Sequence, residues 1–303
     1  MPVTTGIAPV LRQRFHVMGS AAEITLVDGT AHALSTAIGR LHELDRRWSR
    51  FRPDSEVSLL NAGAGRSVPV SWETMLLVDL ARQGWRDTEG RYDPTLLAAV
   101  RRAGYTDDFA LLPAVVAPSP DLIDHDPRTC ARIIVDEGTG TVALPEGAGF
   151  DPGGIGKGLA SDLVSADLAA SAIRGGCVNI GGDLRVWGAG PHDDRWRVAT
   201  ADRTVAVTDA GVATSGTGRR TWVVAGRRMH HVIDPSTLDP SDTGVAAVTV
   251  IAPAAWRAEV YALGALLSGP DGACADLRRW GVEGIVVDDH GRVRASRQLR
   301  NRR

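Results

Sequence analysis

The chain has 303 residues, which is enough for one large domain or two closely joined ones with a substantial core. Its formal net charge of -2, with 44% hydrophobic and 23% charged residues, describes an ordinary soluble globular protein. It also excludes the strong basic field a nucleic-acid binder needs. Cys130, Cys177 and Cys274 are scattered without Cys-x-x-Cys spacing, and no apolar run reaches bilayer length. A disulfide framework, a zinc cluster and a membrane span are therefore not expected.

In chain order, residues 11–27 alternate apolar and polar around Phe15, Val17, Met18, Ile24 and Leu26, predicting a hairpin broken at Gly19-Ser20. Leu34, Ile38, Leu41, Leu44 and Trp48 then recur at helical spacing behind a Thr30 cap. Phe51 to Glu56 is a polar loop with a capping-box pattern leading into a short helix at Leu59-Leu60. A second amphipathic helix is expected over 72–83. A third opens at Tyr92-Asp93-Pro94-Thr95 and runs through Val100. The many Pro and Asp residues of 107–129 predict a surface loop, followed by short strands at 131–136 and 141–145.

A Gly-rich turn at 151–158 leads into a helix with Ile155, Leu159, Leu163, Ala166, Ala170 and Ile173 on one face, ending at Arg174-Gly175-Gly176. Strands are expected at 177–187, 195–200, 203–208, 211–214, 221–225 and 246–251. A helix at 254–268 and a helix–strand unit at 271–288 close the fold. The basic tail over 291–303, with six arginines from Arg292 onward, should fray into solvent. Runs of strands with helices to one side, rather than strict βαβ alternation, point to an α+β protein with mixed, mainly antiparallel sheets and flanking helices.

Four segments carry candidate chemistry. Asp151-Pro152-Gly153-Gly154-Ile155-Gly156-Lys157-Gly158 precedes a helix, where bare backbone and a helix start favour anions. Of 34 basic residues only Lys157 is lysine, so a compact ammonium is placed where every other cation is a planar guanidinium. The segment is neither a Walker loop nor a dinucleotide fingerprint, and a plain helix-packing turn stays open beside a phosphate cradle. Asn179-Ile180-Gly181-Gly182-Asp183 is a tight turn that can present a carboxylate, or simply a hairpin. Thr214-Ser215-Gly216 followed by His230-His231-Val232-Ile233-Asp234-Pro235 offers hydroxyls and an imidazole that suits a general base. A structural histidine at a strand end is the alternative. Glu259, early in its helix, is either a favourable end charge or an oxygen ligand for a hard cation.

The order and spacing of these segments, together with Phe15 to Ser20, Trp48 to Glu56 and Tyr92 to Thr95, resemble the ApbE-type flavin transferases, the FAD:protein FMN transferases. The resemblance covers nearly the whole chain. It implies a T-fold-related single domain over 1–290, made of two intimately packed subdomains, with the tail beyond. It implies FAD as substrate, Mg²⁺ as cofactor, and an acceptor protein whose Thr or Ser hydroxyl takes FMN while AMP leaves. Met18, Phe51, Tyr92, Asp93, Pro94, Asp151, Lys157 and Ile233 match the FAD-site positions. Gly154 and Glu259 match the metal positions, and His231 matches the catalytic base that acts with Lys157. Three positions depart from the pattern. Glu259 and Leu263 stand where the family has Asp and, four residues on, Thr, and Leu238 stands where it has Gly. These departures also admit an FAD-binding protein that transfers nothing, or an FAD pyrophosphatase releasing FMN and AMP. Residues 1–10 show no export signal, so a cytoplasmic protein is expected.

Overall fold

The computed structural model describes residues 9–117, 125–296 and 299. The chain opens with the hairpin β1 (Val10–Val17) and β2 (Ser20–Val27). The helices α1 (Ala31–Trp48) and α2 (Glu56–Ala62), strand β3 (Ser67–Pro69), and helices α3 (Trp72–Asp87) and α4 (Leu97–Arg102) follow. Next come β4 (Val115–Val116), a 3₁₀ turn at Cys130–Arg132, β5 (Ile134–Asp136), β6 (Thr141–Ala143) and the helix α5 (Gly156–Ala169). The strand-rich half holds β7 (Gly175–Ile180), β8 (Asp183–Gly188), β9 (Trp196–Ala199), β10 (Thr204–Val207), β11 (Ala210–Gly216), β12 (Thr221–Val224) and β13 (Arg227–His230). The last elements are β14 (Val245–Ala252), α6 (Ala255–Leu266), α7 (Gly269–Arg279), β15 (Glu283–Asp288) and β16 (Val293–Ala295).

One sheet organises the molecule, in the order β1-β2-β7-β8-β11-β14-β15-β16, with every neighbouring pair antiparallel. The fold is α+β, as the sequence implies. The period-2 alternation of strands splits the side chains between two faces. Ile24, Val178, Ile180, Ala213, Val248 and Val250 join the large core under α1, α5 and α6. Val27, Leu184, Val186, Val212 and Ile285 face the other way, under the β9–β10 hairpin. Because Leu184 and Val186 take that second face, Asp183 and Arg185 point toward the helices, and Arg185 Nε reaches Asp162 of α5 at 3.7 Å. A third cluster of Leu96, Val100, Tyr105, Trp222, Met229 and Ile233 lies between α4 and the small sheet β13-β12-β4.

Several expected features change. The run 177–187 is two strands, turned at Gly181 and Gly182 with φ of 66° and 105°, a conformation glycine adopts without penalty. Part of the expected loop 107–129 pairs as β4, parallel to β12. Residues 118–124 of that loop lie outside the described residues. The tail does not simply fray: β16 extends the main sheet and Leu299 is buried beneath it, while 297, 298 and 300–303 lie outside the described residues. Helix α5 ends at Ala169, and its buried residues are Gly156, Gly158, Leu159, Ala160, Ser161, Val164, Ser165 and Leu168, whereas Ala166 and Ala170 are exposed. It packs against the sheet, α1 and α6, so small residues share the burial and the apolar stripe is weak. Leu238 sits at φ 59°, the left-handed region where glycine costs nothing and a branched side chain costs roughly 1–2 kcal/mol. That strain accounts for a glycine preference at this position.

Candidate active site

Two hairpin tips meet at one end of the main sheet. Antiparallel pairing of β2 with β7 sets Ala22 opposite Ile180, and the Gly181 N–H donates to the Ala21 carbonyl at 2.9 Å. Thus the Met18-Gly19 turn and the Gly181-Gly182 turn lie side by side, with the end of β11 beyond them. Helices α5 and α6 begin close to this edge. Asp162 of α5 accepts the N–H groups of Ala255 and Trp256 at 2.9 Å each, satisfying two of the donors that every helix start leaves free. The two helices then touch through Gly158, where a Cβ would stand 2.5 Å from the Ala255 carbonyl oxygen. Only glycine permits this approach, and it brings Glu259, one turn into α6, against the first turn of α5.

The result is a cluster with Lys157 at its centre. The Lys157 ammonium donates to Asp183 Oδ2 and to Glu259 Oε1, and the Gly158 N–H donates to Glu259 Oε2 at 2.8 Å. Asp183 is 5% exposed and Glu259 3%. Burial pulls the Lys157 pKa down, but the facing Asp183 and Glu259 carboxylates outweigh it and hold it above the ordinary value. Burial raises the Glu259 pKa; Lys157 opposes the rise and Asp183 adds to it. An ammonium carries three N–H donors, so one remains for a ligand.

This cluster floors a cleft of about 630 Å³. Met18, Phe51, Tyr92, Asp93, Asp151, Gly154, Lys157, His231, Ile233 and Glu259 all line it. Pro94 does not; its carbonyl accepts the Asp151 N–H at 2.8 Å and ties the Tyr92–Thr95 turn to the glycine loop. Asp93 closes its own turn, accepting the Thr95 N–H at 2.8 Å and the Thr95 hydroxyl at 2.5 Å, with His125 Nε2 3.2 Å from its other oxygen. Met18 holds the hairpin tip at φ 52°. Phe51 is 37% exposed at the wall, and the Arg50 guanidinium lies 4.2 Å from the centre of its ring and 4.5 Å from that of Tyr105.

His231 follows β13 and lines the cleft. Burial, with help from the Arg220 and Lys157 charges, lowers its pKa to about 3, so the imidazole is neutral at physiological pH. His231 Nδ1, the Tyr92 hydroxyl and Arg50 Nη2 are buried without a hydrogen-bond partner among the described residues. Each such group costs about 1–3 kcal/mol while it stays unpaired.

The divalent-cation site expected at Gly154 and Glu259 is poorly matched by its donors. Both Glu259 oxygens already accept hydrogen bonds, and the next helical turn presents Leu263, whose Cδ2 lies 2.9 Å from where a Gly154 Cβ would stand. Among the described residues no three His, Cys, Asp or Glu side chains gather to hold a metal. Sequence reading alone missed Arg50, Tyr105, Arg219 and Arg220 in the cleft wall. The Arg219-Arg220 pair just after Thr-Ser-Gly was the available signal.

An α+β scaffold with an ammonium at a glycine-lined helix start and a neutral imidazole lining the same cleft belongs to the class of proteins that handle phosphorylated ligands. The chain belongs to the ApbE family, whose model matches residues 18–286. It is 31% identical over 318 aligned positions to the FAD:protein FMN transferase of Treponema pallidum, spanning 96% of this chain and 84% of that one. The apo structure of the Pseudomonas stutzeri flavinyl transferase ApbE superposes with a TM-score of 0.82 at 25% identity over 98% of each chain. The ApbE protein of Thermotoga maritima gives 0.83 at 24% identity, covering 96% of this chain and 98% of that one.

Proposed function

We propose that the protein is an FAD:protein FMN transferase, joining the FMN half of FAD through a phosphoester to a Thr or Ser hydroxyl of an acceptor protein. The diphosphate lies against the Gly153–Gly158 turn, where the start of α5 and the third N–H of Lys157 meet its charge. The acceptor oxygen attacks the FMN phosphorus, the bond from that phosphorus to the bridging oxygen breaks, and AMP leaves with that oxygen. His231 takes the hydroxyl proton and then returns it to solvent. Burial keeps its ring neutral, and the negative diphosphate bound beside it raises its affinity for the proton it takes. The observation that carries this reading is the pairing, in one cleft, of a fixed ammonium with an imidazole whose Nδ1 has no partner.

Magnesium, which the family resemblance implies, has no step here, because the donors at Glu259 and Leu263 do not suit it. The test is incubation of the chain with FAD and a candidate acceptor, read by flavin fluorescence on a denaturing gel and by chromatography of the nucleotides. Fluorescent acceptor with equimolar AMP is expected. FMN and AMP without labelled acceptor would mean that water is the nucleophile, and unchanged FAD would mean a binder without activity.

A further inference from the structure

We propose that Arg219, together with Lys157, supplies the diphosphate with the positive charge a divalent cation would otherwise bring, so that FAD binds here without a divalent metal. The inference rests on the cleft being the FAD site. Its first support is the donor set. A cation at Glu259 would sit against the Lys157 ammonium, repelled at short range in a buried setting, and Leu263 gives it no oxygen.

The second support is the placement of Arg219. Among the arginines lining the cleft, Arg50 faces Asp151 at 3.5 Å and Arg91 faces Asp276 at 3.7 Å. Arg220 donates to Ser20 Oγ at 2.9 Å and the Gly19 carbonyl at 3.3 Å. Arg219 is exposed on the cleft wall and has no such partner among the described residues. Its Nη1 lies 3.9 Å from where a Gly182 Cβ would stand, and Lys157 Cδ lies 3.8 Å from the same point on Gly181. The two cations therefore flank one two-glycine turn. A guanidinium forks two parallel N–H groups onto a phosphate, and it stays charged at any working pH.

The test uses the full chain freed of metal with EDTA and titrated with FAD by flavin fluorescence, in EDTA and again in excess Mg²⁺. The dissociation constants should agree within about twofold, and Mn²⁺ added with FAD should show no stoichiometric bound signal by electron paramagnetic resonance. Arg219→Ala should weaken FAD binding by about tenfold or more, Arg219→Lys should recover part of it, and both should melt like the parent because the side chain is exposed. Tightening of FAD by Mg²⁺ of about tenfold or more, bound Mn²⁺, or parental affinity in Arg219→Ala would each overturn the inference. The first two leave the transferase reading intact. Failure of the parent to bind FAD under either condition removes both.

Discussion

Replacing Lys157 by Met removes the charge at the centre of the cluster while keeping most of the stem's volume. Two N–H donors are committed to Asp183 and Glu259, and the third is the one offered to the diphosphate. Losing a charge-assisted hydrogen bond of about 1.5–3 kcal/mol weakens FAD binding by roughly 10- to 150-fold. The same change leaves two carboxylates, 5% and 3% exposed, facing each other without a counter-charge. Removing one partner of a buried ion pair costs about 3–5 kcal/mol near neutral pH. Glu259 already has a raised pKa, and without Lys157 it rises further. The native state then holds a proton that the unfolded state releases, so the deficit should shrink as pH falls toward the unfolded carboxyl range. Urea unfolding at pH 5.5 and 7.5, beside a fluorescence titration with FAD, reads both effects. Parental FAD affinity, with a stability deficit that ignores pH, would refute the reasoning.

Other outcomes follow from the same geometry. His231→Asn should lower transfer to an acceptor by about 10²-fold or more while FAD still binds, as quenching of flavin fluorescence would show. Because the native His231 pKa is lowered to about 3 from 6.5, the unfolded chain binds its proton first on acidification. The contribution of His231 to stability is therefore complete above about pH 6.5 and declines toward pH 3, and the difference in unfolding free energy between the parent and His231→Asn should be constant above about pH 6.5 and change with pH only between there and about pH 3. Asp162→Ala, which strips the acceptor from the first two N–H groups of α6, should cost about 1–2 kcal/mol in urea unfolding and weaken FAD binding through Glu259.

Much of this protein was legible because its local signals agree with one another. Thr30 does cap α1, accepting the Ala33 N–H at 3.1 Å, and the stripe from Leu34 to Trp48 is the face that packs. The only lysine, set between two glycines, marked the helix start that floors the cleft. Its partners were hidden because they are 26 and 102 residues away, and only the β7–β8 turn and the Gly158 contact bring them together. The face of α5 was misread because three neighbours bury it through Gly, Ala and Ser, which leave little apolar periodicity. β16 escaped notice because a three-residue strand among arginines takes its stability from the β15 edge, not from its own composition. The misfit at Leu263 was visible as a departure. That Lys157 and Gly158 occupy both Glu259 oxygens could be seen only in three dimensions.

The most direct test of the site is a crystal structure of the chain with FAD bound. The diphosphate should be found within hydrogen-bond reach of Lys157 and the Gly153–Gly158 backbone, with His231 across the cleft from the FMN phosphorus. A dinucleotide seated away from that turn, with Lys157 still closed between its two carboxylates, would contradict the reading.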